Sequence, residues 1–126
     1  MTSDRSAVLL VRLAKIFISH LQAQVPQWQQ AFLRFNADDG RYGSTASYVA
    51  SSGVYLISAI KYKEMYEEIN SLGWELRSVL PGDSPFVVFI LAVTPDFDYK
   101  FDFERSDRNR WKITKMDGAS GIPEGF

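Results

Sequence analysis

The chain has 126 residues, of which 46% are hydrophobic and 23% charged, and its formal net charge is −1. Such a length and composition predict one globular domain, residues 1–126, large enough to bury a core without disulfides or structural metal. The chain has no cysteine and one histidine, His20, which excludes thiolate zinc sites, cysteine nucleophiles and most multi-histidine sites and argues against a Ser-His-Asp triad.

An amphipathic helix is the first predicted element, from about Ser6 to Gln24, and Pro26 ends it. Apolar residues recur along it at helical spacing: Leu9, Leu10, Leu13, Ile16, Phe17 and Leu21. Arg12 and Lys15 interrupt the apolar run, so it is too polar for a signal peptide or a membrane span. We therefore expect a cytoplasmic protein without a membrane partner.

A hairpin and a second helix are predicted next. Residues 28–36 and 42–50 have the pattern of strands, joined by an Asp-Asp-Gly turn at 38–40. From Tyr62 to Val79, apolar residues recur at steps of three and four. This stripe predicts a helix that continues past Gly73 until a Pro-Gly pair ends it.

The rest of the chain completes the predicted sheet. Residues 86–93 are eight consecutive apolar residues, which is typical of a central strand covered on both faces. A turn at Thr94-Pro95-Asp96 leads into the antiparallel neighbour of this strand. Residues 106–115 fit either a short helix or a fifth strand. Residues 118–126 have the composition of a loosely ordered tail. We therefore predict an α+β fold with an antiparallel sheet of four or five strands, two main helices packed on one side, and the order α-β-β-α-β-β followed by a helix or a strand.

The last clear strand, residues 95–105, separates two chemistries by parity. The odd positions hold Phe97, Tyr99, Phe101 and Phe103, and the even positions hold Asp96, Asp98, Lys100, Asp102 and Glu104. Because side chains alternate across a strand, the rings should be buried and the charges should be exposed on the opposite face. Carboxylates repeated about every 7 Å repel one another, and a basic partner would offset that repulsion.

Charge is distributed unevenly along the chain. Residues 1–37 hold four basic and one acidic side chains, residues 38–104 five basic and eleven acidic, and residues 105–126 five basic and three acidic. The acidic middle opposes binding to nucleic acid and favours attraction of a basic protein. Side chains on one face of a strand do not converge on a point, so we expect neither a metal site nor a cofactor.

Five motifs resemble those of a known family. They are Trp28, Tyr48, Phe101-Asp102-Phe103-Glu104, Arg108-x-x-Trp111-Lys112-Ile113 and Gly121-Ile122-Pro123-Glu124. Together with the element order and the helix from Tyr62 to Leu80, they resemble the YezG-like immunity proteins, cytoplasmic antitoxins of bacterial polymorphic toxin and contact-dependent growth inhibition systems. The resemblance implies a protein that neutralises a toxin, commonly a nuclease, by binding it tightly.

Together these observations predict a non-catalytic inhibitor of a basic toxin domain, with a nuclease as the expected class. The expected toxin-binding residues are Asp96, Asp98, Asp102 and Glu104, with Asp38, Asp39 and Asp83 in nearby loops. We expect a monomer or a weak homodimer.

Two alternatives stay open from the residues alone. The first is a small-molecule-binding or enzymatic domain with an aromatic-lined pocket, whose signature would be a carboxylate of strongly raised pKa in a deep cavity. The second is a structural or homo-oligomeric adaptor anchored by an exposed Trp74 or by Phe126.

Overall fold

A computed structural model of the chain describes residues 2–25, 27–38, 40–80, 82 and 84–126, with the backbone alone for residues 2–4. Its elements are α1 (Thr2–Gln24), β1 (Trp28–Ala37), β2 (Tyr42–Ala50), β3 (Gly53–Leu56), α2 (Lys63–Val79), β4 (Val88–Val93), β5 (Tyr99–Glu104) and a 3-10 turn (Met116–Gly118). The strands form one antiparallel sheet in the order β3-β2-β1-β4-β5. The predicted α+β class, with two main helices on an antiparallel sheet, is confirmed.

Both helices cover one face of the sheet, here called the helix face. The predicted stripes supply its core, because Leu13, Phe17, Ile69 and Leu76 are fully buried. They pack against the inward-facing side chains of the central strands, among them Leu33, Phe35, Phe89 and Leu91. We expected the first helix to be too polar for a membrane span, but residues Arg5–Gln24 are long and apolar enough by length and composition. The apolar stripe of this segment lies in the core.

The fifth strand is β3, which the sequence patterns did not predict. It pairs antiparallel with β2 after the turn at Ser51-Ser52, and Gly53 occupies a positive φ of 147° where the chain reverses. A strand of four residues is too short for a period-two pattern to stand out. Residues 106–115, predicted as a helix or a strand, form neither and contain a turn at 108–111.

The C-terminal segment covers the opposite, outer face of the sheet. We call residues 106–126 the C-terminal cover. Its buried Trp111 and Ile113 pack against Phe32, Val88 and Ile90. The tail belongs to the same layer: the backbone N–H of residue 124 donates to the carbonyl of residue 112 (3.0 Å), and the ring centroid of residue 126 lies 5.2 Å from that of Phe32. The central strand is therefore covered on both faces, as its continuous apolar run predicts.

Gly73 lies in the middle of α2, where the helix approaches β1 most closely. A Cβ atom there would lie 2.7 Å from the ring of Phe35. Glycine in a helix interior costs about 1 kcal/mol relative to alanine. The close approach explains why glycine occupies this position in the helix despite that cost.

Replacing Gly73 with alanine should therefore destabilise the protein, by about 1–3 kcal/mol of unfolding free energy, because overpacking outweighs the gain in helix propensity. Urea denaturation of Gly73→Ala measures the effect, with Ser71→Ala on the exposed side of the same helix as the control. A Gly73→Ala variant more stable than the wild type would contradict this packing.

Candidate functional site

The turn between β4 and β5 holds Phe97, one of four described non-glycine residues with a positive φ; the others are Gln27, Trp111 and Asp117. The N–H of Phe97 donates to the carbonyl of Thr94 (3.1 Å), and the N–H of Thr94 donates to the carbonyl of Asp98 (3.0 Å). This is the pattern of a hairpin loop in which a type I turn is followed by one residue in the left-handed region. Pro95 and Asp96 suit the type I positions, and Phe97, with φ of 65°, occupies the left-handed position that usually holds glycine.

The aromatic side of the predicted strand is buried only in part. Phe101 and Phe103 pack on the helix-face core, with ring centroids 5.4 Å from Phe89 and 5.2 Å from Phe86, respectively. Phe97 and Tyr99 were also predicted to be in the core, and this is wrong: Phe97 is 56% exposed and Tyr99 is 45% exposed. The strand begins only at Tyr99, so the alternation does not extend into the turn.

The predicted toxin-binding carboxylates fall into three environments. Asp96 and Asp98 are exposed and lie in the β4–β5 turn, not on the strand. Asp102 lies on β5, with Oδ2 3.6 Å from Nζ of Lys100. Glu104 and Asp38 are engaged in contacts within the chain. Asp39 and Asp83 lie outside the described residues.

Glu104 organises the start of the C-terminal cover. Its Oε1 accepts a hydrogen bond from Nη1 of Arg110 (2.7 Å), and its Oε2 accepts from the backbone N–H groups of residues 105, 106 and 107 and from the Ser106 hydroxyl. The bond to Arg110, followed by the backbone and hydroxyl donors, lowers the pKa of Glu104 to about 2. With its side chain only 14% exposed, this carboxylate is already neutralised inside the chain.

Asp38 has a comparable role at the tip of the first hairpin. Its Oδ1 accepts from the N–H groups of Gly40 and Arg41, and its Oδ2 lies 2.8 Å from Nη1 of Arg108. The bond from Gly40 is the main cause that lowers the pKa of Asp38. The carboxylate therefore closes the turn and ties it to the C-terminal cover.

Arg34 completes this attachment from inside the sheet. It is buried in the middle of β1, where its Nε donates to the carbonyl of Arg110 (2.9 Å) and its Nη2 donates to the carbonyl of Arg108. Burial is the main cause that lowers the pKa of Arg34. Trp111, which follows Arg110 in the chain, adopts a left-handed φ of 60° and packs its indole on the outer face. The Arg110 guanidinium lies over this indole, 4.4 Å from the ring centroid.

An aromatic cavity of about 500 Å³ lies at the end of α1. Its walls include Gln24, Gln27, Tyr48, Tyr55, Lys61 and Tyr62. None of the described residues that line this cavity is a carboxylate, so the raised-pKa acid expected for the enzymatic alternative is not among them. The described part of the chain also contains no group of three or more His, Asp or Glu side chains that could hold a metal ion.

Comparison with known proteins identifies no relative. A scan against protein-family models finds no match, and a search of curated proteins finds none either. The likeness to YezG-like immunity proteins therefore stays a hypothesis that rests on the motifs in the sequence.

The Glu104 contacts predict a specific acid sensitivity. Because the folded-state pKa of about 2 is below the ordinary value of 4.5, this carboxylate contributes stability that is fully present above about pH 4.5 and is lost as the pH falls towards 2. Glu104→Gln should lower the melting temperature at pH 7 and flatten its dependence on pH between 4.5 and 2. Asp96→Asn removes an exposed carboxylate as the control, and a Glu104→Gln variant with the wild-type pH slope would contradict the assignment.

Proposed function

We propose that the protein is an immunity protein that binds and neutralises a basic toxin domain, and that the β4–β5 turn is the centre of the contact surface. The observation that carries this proposal is Phe97, a large aromatic residue that is 56% exposed and held at a φ of 65°. A bulky residue in the left-handed region costs about 1–2 kcal/mol, and glycine would remove that cost. Strain of this kind at an exposed position is typical of functional sites.

An exposed ring between acids suits a protein interface. Aromatic side chains that enter a pocket of a partner supply much of the binding energy in protein complexes. Phe97 supplies such a ring, and Asp96 and Asp98 place two carboxylates beside it. This combination fits a partner whose pocket is apolar at its centre and basic at its rim.

The charge of the surface supports a basic partner. Carboxylates beside the aromatic anchor would attract cationic side chains and raise the association rate. A nuclease must present a basic cleft to a polyanionic substrate, so a toxin nuclease has the required chemistry. The protein acts in the cytoplasm and without catalysis, by binding the toxin through the β4–β5 turn.

Two substitutions of Phe97 should separate strain from binding. Both Phe97→Ala and Phe97→Gly remove the ring, so both should weaken toxin binding by about tenfold or more. Phe97→Gly should be more stable than Phe97→Ala by about 1 kcal/mol, because only glycine relieves the left-handed conformation. Calorimetric melting and titration with the toxin domain measure the two effects, and a toxin affinity unchanged in both variants would exclude Phe97 from the interface.

The direct test of function is co-expression with the toxin domain encoded beside the gene, followed by co-purification and a growth-protection assay.

The pair Asp96→Asn and Asp98→Asn should weaken the complex at low salt and have a smaller effect at high salt, because screening already removes much of the attraction. Glu64→Gln with Glu68→Gln on α2 changes the net charge equally and serves as the control. An equal loss of affinity in both pairs would mean that only net charge matters, and failure of the wild type to bind or to protect would reject the proposal.

A further inference from the structure

Strand β5 forms one edge of the sheet, and in the described fold its outer side pairs with no other strand. Six consecutive residues of this strand, Tyr99–Glu104, are in β conformation. An exposed edge of this length presents unpaired backbone N–H and C=O groups, which is the template for pairing with another strand.

The hydrogen-bond pattern shows which groups point outward. Thr94 donates to the carbonyl of Asp98, so the even-numbered residues of β5 face β4. In an antiparallel ladder, alternate residues direct both backbone groups to the same side. Tyr99, Phe101 and Phe103 therefore direct their N–H and C=O groups away from the sheet.

A second copy of the same strand matches this edge in the register centred on Phe101. When a two-fold axis passes beside Phe101, this residue faces its own counterpart and forms a hydrogen-bonded pair with it. Lys100 then lies opposite Asp102 of the second copy, and Asp102 lies opposite its Lys100. Directly opposed residues in such pairs approach to about 4.5–5.5 Å between Cα atoms, so two ion pairs form on the outer face.

The same register matches the aromatic side chains on the helix face. Tyr99 lies opposite Phe103 of the second copy, and aromatic cross-strand pairs stabilise antiparallel sheets. Tyr99 is 45% exposed in the single chain, and Phe101 and Phe103 are only partly buried. A second copy would cover these rings with rings of the same kind.

The next pair along the strand is electrostatically unfavourable in this register. Asp98 of each copy would lie opposite Glu104 of the other, which gives two pairs of like charges. Glu104 already bonds to Arg110 at 2.7 Å, so only one free carboxylate enters each pair. Lys100, Asp102 and Arg110 are further charged groups on this part of the outer face.

We infer that two copies of the chain associate edge to edge through β5, in the register that places Lys100 opposite Asp102, to form a continuous ten-stranded sheet. The inference does not depend on the proposed function, because it needs no toxin.

A charge-exchange experiment tests both the edge and the register. Lys100→Asp places carboxylates opposite each other in the self-pair, and Asp102→Lys does the same with ammonium groups, so each variant alone should dimerise at least about tenfold more weakly than the wild type. An equimolar mixture of the two variants restores both opposite-charge pairs and should form a heterodimer. The double variant Lys100→Asp with Asp102→Lys should again dimerise alone. Sedimentation equilibrium over a range of concentrations measures the wild type, the two single variants, their mixture and the double variant.

The single variants should stay folded, because the Lys100–Asp102 contact within one chain is exposed and contributes little. Circular dichroism melting checks this. A wild type that stays monomeric at millimolar concentration would overturn the inference. So would single variants that dimerise as well as the wild type, or a mixture that shows no heterodimer.

Hydrogen exchange provides an independent readout of the edge. In the dimer the amides of Tyr99, Phe101 and Phe103 should gain protection as concentration rises, whereas those of Lys100 and Asp102 are protected by β4 at all concentrations. A dimer that forms without slowing exchange at Phe101 would use another surface and would overturn the proposed arrangement.

Discussion

The structure depends on covering both faces of one small sheet. Its central strands β1 and β4 place large apolar side chains on each side, so neither face can be left to water. Two helices cover one face with about forty residues of regular structure. The other face is covered by an irregular segment that has few apolar residues, and this segment therefore needs polar attachments to stay in place.

Those attachments explain why part of the acidic surface is not available for binding. A buried guanidinium must be hydrogen-bonded, and Arg34 meets this need with two carbonyl groups of the cover. Glu104 and Asp38 then bind the guanidinium groups of the same two cover residues, Arg110 and Arg108, respectively. Two carboxylates of the predicted acidic surface, Glu104 and Asp38, thus hold the chain together. Asp96 and Asp98 at the β4–β5 turn stay exposed, and these are the charges that we propose for a partner.

The elements with a strong period were predictable from sequence, whereas the cover and the site were predictable only in part. The stripes of α1 and α2 and the continuous apolar run of β4 each report a local periodicity, and the parity of β5 correctly separated Phe101 and Phe103 from Lys100 and Asp102. Arg34 and Arg110 are separated by 76 residues, and no local pattern reveals that they meet. The exposure of Phe97 had a local signal, since a Pro-Asp pair after a strand predicts a type I turn and places the third loop residue in the left-handed region.

The position of the cover in the chain has a consequence for synthesis. A ribosome completes every strand of the sheet before it adds residues 106–126, so the outer face of the nascent sheet, with Phe32, Val88 and Ile90, stays uncovered until that segment has been translated. During that interval the apolar surface is open to chaperones and to aggregation. A message truncated just after the codons of β5 would yield a chain with a complete sheet and one bare side, which protein quality control can recognise and degrade.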